Sequence, residues 1–228
     1  RIAAGARIAL LPVGGTEQNG PHMSLGKHNT RVKVLAARIA DKLGNAIVAP
    51  VLAYVPEGSI EPPRAHMRWP GTISVPEAAF EAVLEGAARS LLRAGFTDVV
   101  LLGDHGGYRA SLDRVAARLP HVHALPEYYR AATAGHAQAL RERGFAAAEI
   151  GSHAGLADTA LSLATDPTSV RLPLAQSRAP SASGDGVEGD PRRASVELGR
   201  IGADLLVETT VAAIQAKTMR AAQSSSRP

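Results

Sequence analysis

The stretch Ile8-Ala9-Leu10-Leu11-Pro12-Val13 runs straight into Gly14-Gly15-Thr16-Glu17-Gln18-Asn19-Gly20-Pro21-His22, and this junction decides the fold. The apolar run reads as a short strand buried on both faces. It empties into glycines, a carboxylate and a histidine. Ligands of open α/β sheets bind in the crevice outside the carboxyl ends of the strands, so this is a place suited to chemistry. The pattern returns further on. Thr97-Asp98-Val99-Val100-Leu101-Leu102 shows no polar alternation and is followed by the turn Gly103-Asp104-His105-Gly106-Gly107, with a helix expected over 109–119.

Outward from these two units, strand and helix signals alternate. A helix over 31–43 stops at Gly44, and Ala46-Ile47-Val48-Ala49 is a short strand before Pro50. Residues 54–72 are rich in Pro, Gly and charge, a long loop of the functional kind. Phe80, Val83, Leu84, Ala87, Leu91 and Leu92 recur at helical spacing over 76–94, with Ser74 as the expected cap and Glu77 three residues on. Residues 121–125 read as a strand and 127–143 as helical. A second Gly-flanked histidine, Gly151-Ser152-His153-Ala154-Gly155, precedes a helix over 156–164. Residues 176–194, rich in Ser, Gly, Pro and Asp, form a flap or crossing loop; 195–217 is an amphipathic helix and 224–228 a disordered tail. The alternation predicts one α/β domain over 1–223: three layers, α/β/α, around a mostly parallel sheet.

Composition narrows the function. The 228 residues are 45% apolar, enough for one sizeable core. Basic residues exceed acidic ones by 25 to 21 but are scattered, and aromatics are only 4%, which argues against a nucleic-acid partner. There is no cysteine, so any metal must be held by His, Asp, Glu or Asn. No apolar run approaches the roughly 18 residues of a membrane span, so no membrane partner is expected. No signal-peptide pattern opens the chain, which leads us to expect a cytoplasmic protein, although it starts without Met, as a trimmed N-terminus would. Four polar clusters fall at element ends: Glu17, Asn19, His22 and His28; His66; His105; and His153 with Asp158. Their convergence on one sheet edge would make a metal-dependent hydrolase.

These residues resemble the creatininase (creatinine amidohydrolase) family. Its first motif, P-V-G-S-T-E-Q-H-G-P-H-L-P-L-x-T-D, is similar to residues 12–28 here, from Pro12-Val13-Gly14-Gly15-Thr16-Glu17 to Gly26-Lys27-His28. E-H-x-x-F-P-G-T-I-S resembles Ala65-His66-Met67-Arg68-Trp69-Pro70-Gly71-Thr72-Ile73-Ser74. N-G-H-G-G-N resembles Gly103-Asp104-His105-Gly106-Gly107-Tyr108, and G-x-H-A-G-x-x-E-T-S resembles Gly151-Ser152-His153 through Asp158-Thr159-Ala160. A late G-D-P-x-x-A appears as Gly189-Asp190-Pro191-Arg192-Arg193-Ala194. Five motifs in order cover about 180 of the 228 residues. The resemblance implies the family's α/β fold, a small-molecule substrate and a homo-oligomer, often a hexamer.

The departures concern the metal. Family members commonly bind two divalent ions through the first motif's Glu, His and bridging Asp, the His of the third motif and, in some members, a carboxylate two residues later. By position, Glu17 and His105 are kept, the His becomes Asn19, the Asp becomes His28, and the later position is Gly107. An imidazole bridges two cations poorly, and two ions about 3.5 Å apart would repel with little negative charge between them. Glu17, His28 and His105 remain, a set suited to one divalent ion, Zn first, with Fe or Mn as alternatives. Two ions through other ligands, or none if Asn29 takes the Asp position by a register shift, stay open. The resemblance makes His153 and Asp158 the acid–base groups. Asp158 stands where the family has Glu, shortening the reach by about 1.5 Å, one carbon–carbon step. His66, Trp69, Tyr108 and Asn19 are expected to contact substrate; His22 braces its loop. The leading expectation is an amidohydrolase that attacks a small amide C–N bond, cyclic amides included, with a metal-activated water. A remodelled site doing lyase or iron chemistry, and a non-catalytic relative, are the rivals.

Overall fold

The computed structural model describes residues 5–179 and 184–225. Four strands, β1 (Ile8–Val13), β2 (Ala46–Val48), β3 (Asp98–Gly103) and β4 (Val122–Ala124), pair in the order β2-β1-β3-β4, all parallel. The central pair, β1 and β3, is buried along its whole length, as their unbroken apolar runs require. Side chains alternate across the sheet. Ile8, Leu10, Val100 and Leu102 enter the core on one face, while Ala9, Leu11, Val99 and Leu101 enter the other.

The first face is covered by α1 (Lys27–Leu43) and α9 (Val196–Ser225), the second by α2 (Glu77–Arg93) and α3 (Arg109–Arg118). Leu35 and Ile39 of α1 meet Leu206 and Ile214 of α9 with no exposed surface; burying each such side chain contributes about 1.5–3 kcal/mol. Between α3 and α9 lie α4 (Pro126–Arg130), α5 (His136–Arg141), α6 (Ala147–Ile150), α7 (Leu156–Thr165) and α8 (Leu172–Gln176). The expected three-layer α/β/α architecture is therefore present. The chain leaves β1 for β2 on one side and returns to β3 on the other. This reversal of direction opens a crevice at the carboxyl ends of β1 and β3.

Several local expectations are corrected. Helix α1 begins at Lys27, four residues early, because its first turn is polar and yet buried: Lys27, His28 and Arg31 precede the apolar stripe that starts at Val32. Ser74 does not cap α2. Its hydroxyl accepts from Glu57 N–H at 3.0 Å and donates to Gly58 O at 2.8 Å, and Pro76 occupies the cap position. The helical stretch after β4 is interrupted by a π turn, Ala131–Gly135. Helix α9 runs on to Ser225, so the first two residues of the expected tail are helical and 226–228 lie outside the described residues. Residues 180–183 of the 176–194 loop also lie outside them. Among the described residues no helix is long and apolar enough to cross a membrane.

Candidate metal centre at the carboxyl edge of the sheet

The register of the sheet assembles the site. Val13 pairs with Gly103, so the loops after β1 and β3 emerge side by side, tied by Asp104 N–H to Val13 O at 3.0 Å. The first delivers Glu17 and the second His105. Lys27, His28 and Arg31 come from the start of α1. His66 comes from a 3-10 turn, Ala65–Arg68, inside the long loop, and His153 from the loop before α7.

Glu17 is the hub, with no exposed surface. His28 Nε2 is 2.8 Å from its Oε1, with His153 Nδ1 and Lys27 Nζ each at 3.6 Å. His66 Nε2 stands 3.2 Å and His105 Nε2 3.6 Å from Oε2. That Oε2 is buried without a hydrogen bond of good geometry. Buried carboxylate oxygens are rarely left so, and an oxygen ringed by imidazole nitrogens fits a cation. Two triads place one donor atom each within 4.8 Å of the others: Glu17, His28 and His105, and Glu17, His66 and His153. The donors are nitrogen and oxygen, a set that suits Zn, Mn or Fe.

The rings are aimed from behind. Asp104 Oδ2 sits 2.7 Å from His28 Nδ1, and Glu57 Oε2 sits 3.0 Å from His105 Nδ1. His153 Nε2 is 2.8 Å from Gln18 O. The Asp104 and Gln18 contacts each fix one ring nitrogen and leave the other facing Glu17, as behind many metal ligands; His105 Nδ1 accepts from Gly107 N–H at 3.3 Å. Asp104 is itself held by Arg31 Nε at 2.8 Å and the Tyr128 hydroxyl at 2.9 Å. Gly15 completes the arrangement. Its φ is +153°, and a Cβ there would lie 2.3 Å from Glu57 Oε1.

The electrostatics follow from burial and these partners. Burial opposes ionisation of Glu17, but the hydrogen bond and charge of His28, with Lys27 and His105 behind it, hold the carboxyl far below the carboxylate range. Burial pulls His105 down to about 3 and His153 down to about 4, so both are neutral imidazoles able to donate a lone pair at pH 7. Burial, then the Glu17 charge, pushes Glu57 up to about 9.

The histidine cluster separates two cavities. One, about 240 Å³, is lined by Glu17, Lys27, His28, His66, His153 and Asp158 among others; Tyr129 reaches it from α4 and Thr133 from the π turn. The other, about 540 Å³, is lined by Glu57, His66, His105 and Gly107 among others.

Glu17, His28, His105, His66 and His153 are thus brought together, but four expected placements differ. Asn19 has no exposed surface and donates to Glu17 O and Ser24 O, bracing the loop. Tyr108 lies under the site, its hydroxyl bonded to Asp104 N, His105 N, Val13 O and Gly14 O, so it cannot reach a substrate. Trp69 is half-buried, closes the 3-10 turn through its N–H to His66 O, and lines neither cavity. Asp158 is clamped by Lys27 Nζ, by Arg31 Nη1 at 2.6 Å and by Ala154 N–H at 2.9 Å. Burial alone would raise its carboxyl, but Lys27 and Arg31 hold it well below the usual range, which makes it a poor base. Asn29 is turned away from the ligand position: its Oδ1 accepts from Gly15 N–H at 2.9 Å. His22 braces its loop through Thr159 Oγ1 at 3.0 Å. Sequence reasoning missed Lys27, Arg31 and Glu57 and gave Asp104 no structural role, because polar residues in a loop or a first turn carry no periodic signal.

Known proteins share part of this sequence and the whole of its fold. A stretch of 117 residues is 32% identical to the mycofactocin precursor peptide peptidase of Mycolicibacterium smegmatis, covering 49% of this chain and 44% of that protein. A stretch of 105 residues is 32% identical to the creatinine amidohydrolase of Pseudomonas putida, covering 46% and 40%. The matched stretch spans less than half of either relative. Over the whole fold, a tryptophan-to-alanine mutant creatininase superposes with a TM-score of 0.73 at 25% identity, covering 95% of this chain and 93% of that one. Similar creatininase structures include one described with Mn and a mutant described as a Zn-Zn type. The family model described as creatinine amidohydrolase matches residues 1–214, and the chain belongs to the creatininase family.

Proposed function

We propose that the chain is a metal-dependent amidohydrolase that cleaves a C–N bond of a small amide, with one divalent ion per chain held by Glu17, His28 and His105. The observation that carries this reading is the buried Glu17 Oε2, unpaired by any good hydrogen bond and faced by His66 Nε2 at 3.2 Å and His105 Nε2 at 3.6 Å. A bound ion supplies Lewis acidity toward the carbonyl and lowers the pKa of water. His153, neutral and with Nδ1 turned toward the centre, accepts a proton from the attacking water and returns it to the leaving nitrogen. Asp158 holds Lys27 and Arg31 in place instead of moving the proton. His66, on the wall between the two cavities, contacts the substrate. Zn, Mn and Fe all suit the donor set, and an assembly of identical subunits is expected from the family.

Elemental analysis of purified protein, together with turnover of a panel of cyclic and linear amides, tests this. One ion per chain, lost with activity in a His105→Ala variant, is the expected result. Full activity in His105→Ala, or turnover by protein carrying no metal, overturns it.

A further inference from the structure

The two ligand triads share Glu17, so the ligands alone would admit two ions around its carboxylate. Lys27 bears on that choice. Its side chain is buried at the head of α1, and its ammonium is 3.6 Å from Glu17 Oε1, the oxygen that His28 Nε2 and His153 Nδ1 also approach. Asp158 fixes the ammonium from the other side, and Arg31 fixes Asp158. The lysine is therefore held in place within the ligand shell. Its ammonium stands beside the Glu17 oxygen that a second cation would share.

The charge balance points the same way. Four buried or partly buried carboxylates surround the cluster, Glu17, Glu57, Asp104 and Asp158, against two cations, Lys27 and Arg31. With all four carboxylates ionised, one divalent ion closes that balance, and with fewer ionised there is still less room for a second. A second would leave an uncompensated double positive charge in a buried site, which is strongly unfavourable.

We infer that Lys27 is a built-in cation that restricts this site to a single metal ion, doing with a side chain what a second metal would otherwise do beside Glu17. This rests on the metal-dependent reading above. Removing the charge would free Glu17 Oε1 and His153 Nδ1 as ligands for a second ion, with Asp158 still held by Arg31.

The test is metal stoichiometry in the wild-type chain, Lys27→Met, which keeps the length of the side chain, and Lys27→Arg, which keeps the charge. Each protein is titrated with Mn²⁺ and followed by calorimetry and electron paramagnetic resonance. One ion and an isolated-ion spectrum are expected for the wild type and Lys27→Arg. Two ions and a spin-coupled spectrum are expected for Lys27→Met, with the second ion bound at least tenfold more tightly than in the wild type. If Lys27→Met does not fold, Lys27→Gln serves the same purpose with a polar head. One ion on a folded charge-neutral variant overturns the inference and leaves the metal-dependent reading intact; two ions on the wild type overturn the inference and the one-ion part of that reading, but not metal dependence itself. No ion on any of the proteins overturns both.

Discussion

Asp104→Asn is the sharpest perturbation of the proposed centre, because it changes charge with almost no change in shape and touches no cavity-facing ligand atom. Asp104 Oδ2 lies 2.7 Å from His28 Nδ1 and accepts from Arg31 Nε at 2.8 Å. The amide can still accept a neutral hydrogen bond, but the full negative charge that polarises the imidazole and fixes its tautomer is lost. Removing an outer partner of this kind costs about 10–100-fold in metal affinity. That corresponds to roughly 1.4–2.7 kcal/mol at about 1.36 per tenfold. Arg31 keeps Asp158 as a counter-ion, so the fold should survive with a loss on the order of 1–3 kcal/mol for a half-paired buried cation. Competition for Zn²⁺ against a fluorescent chelator at pH 7 reads the affinity, and thermal melting reads the fold. Asp98→Asn is the control. It breaks another Asp–His contact, to His123 Nε2 at 2.8 Å, at the opposite end of β3. Equal metal affinity in wild type and a folded Asp104→Asn, or an equal loss in Asp98→Asn, would refute the reasoning.

Three further outcomes are expected. Glu17→Gln removes the one carboxylate common to both triads, and metal uptake measured by elemental analysis should fall below a tenth of an ion per chain, an order-of-magnitude expectation from losing a first ligand. For the metal-free chain, His22 and His153 are lowered to about 4 and His105 to about 3, chiefly by burial, against an ordinary value of 6.5. The unfolded chain therefore takes up protons below pH 6.5 that the fold refuses until pH 3–4. The histidines' contribution is full above pH 6.5 and falls with acid, on the order of 2 kcal/mol per histidine by pH 5; Glu57, pushed up to about 9 by burial, opposes it but is one group against three. Urea unfolding at pH 7 and pH 5 checks the sign, and a rise at pH 5 would contradict it. Tyr108→Phe strips a hydroxyl bonded to four backbone groups and should destabilise by about 1–3 kcal/mol while the metal count per folded chain stays unchanged. A lost metal with an intact fold would instead place Tyr108 in the site.

What the sequence by itself determined is the frame and the inward-facing ligands. The unbroken apolar runs Ile8–Val13 and 97–102 specify central strands, since only a strand covered on both faces can be apolar at every position. The glycine turns after them place Glu17 and His105 at the same edge, and five ordered motifs point to the creatininase family. Roles that depend on which way a side chain turns were decided only by the tertiary structure. Asn19 and Tyr108 sit within the motifs yet spend their polar atoms on the backbone. Asp158 stands at a motif position that implies a base, but Lys27 and Arg31 from α1 clamp it. Glu57 lies in a loop of Pro, Gly and charge with no period at all, and only packing against Gly15 and His105 gives it a place. The physical reason is the same in each case. Hydrophobic periodicity encodes which face of an element is buried, whereas a buried charge is set by partners far away in the chain, and those partners meet only once the sheet has brought the loops together.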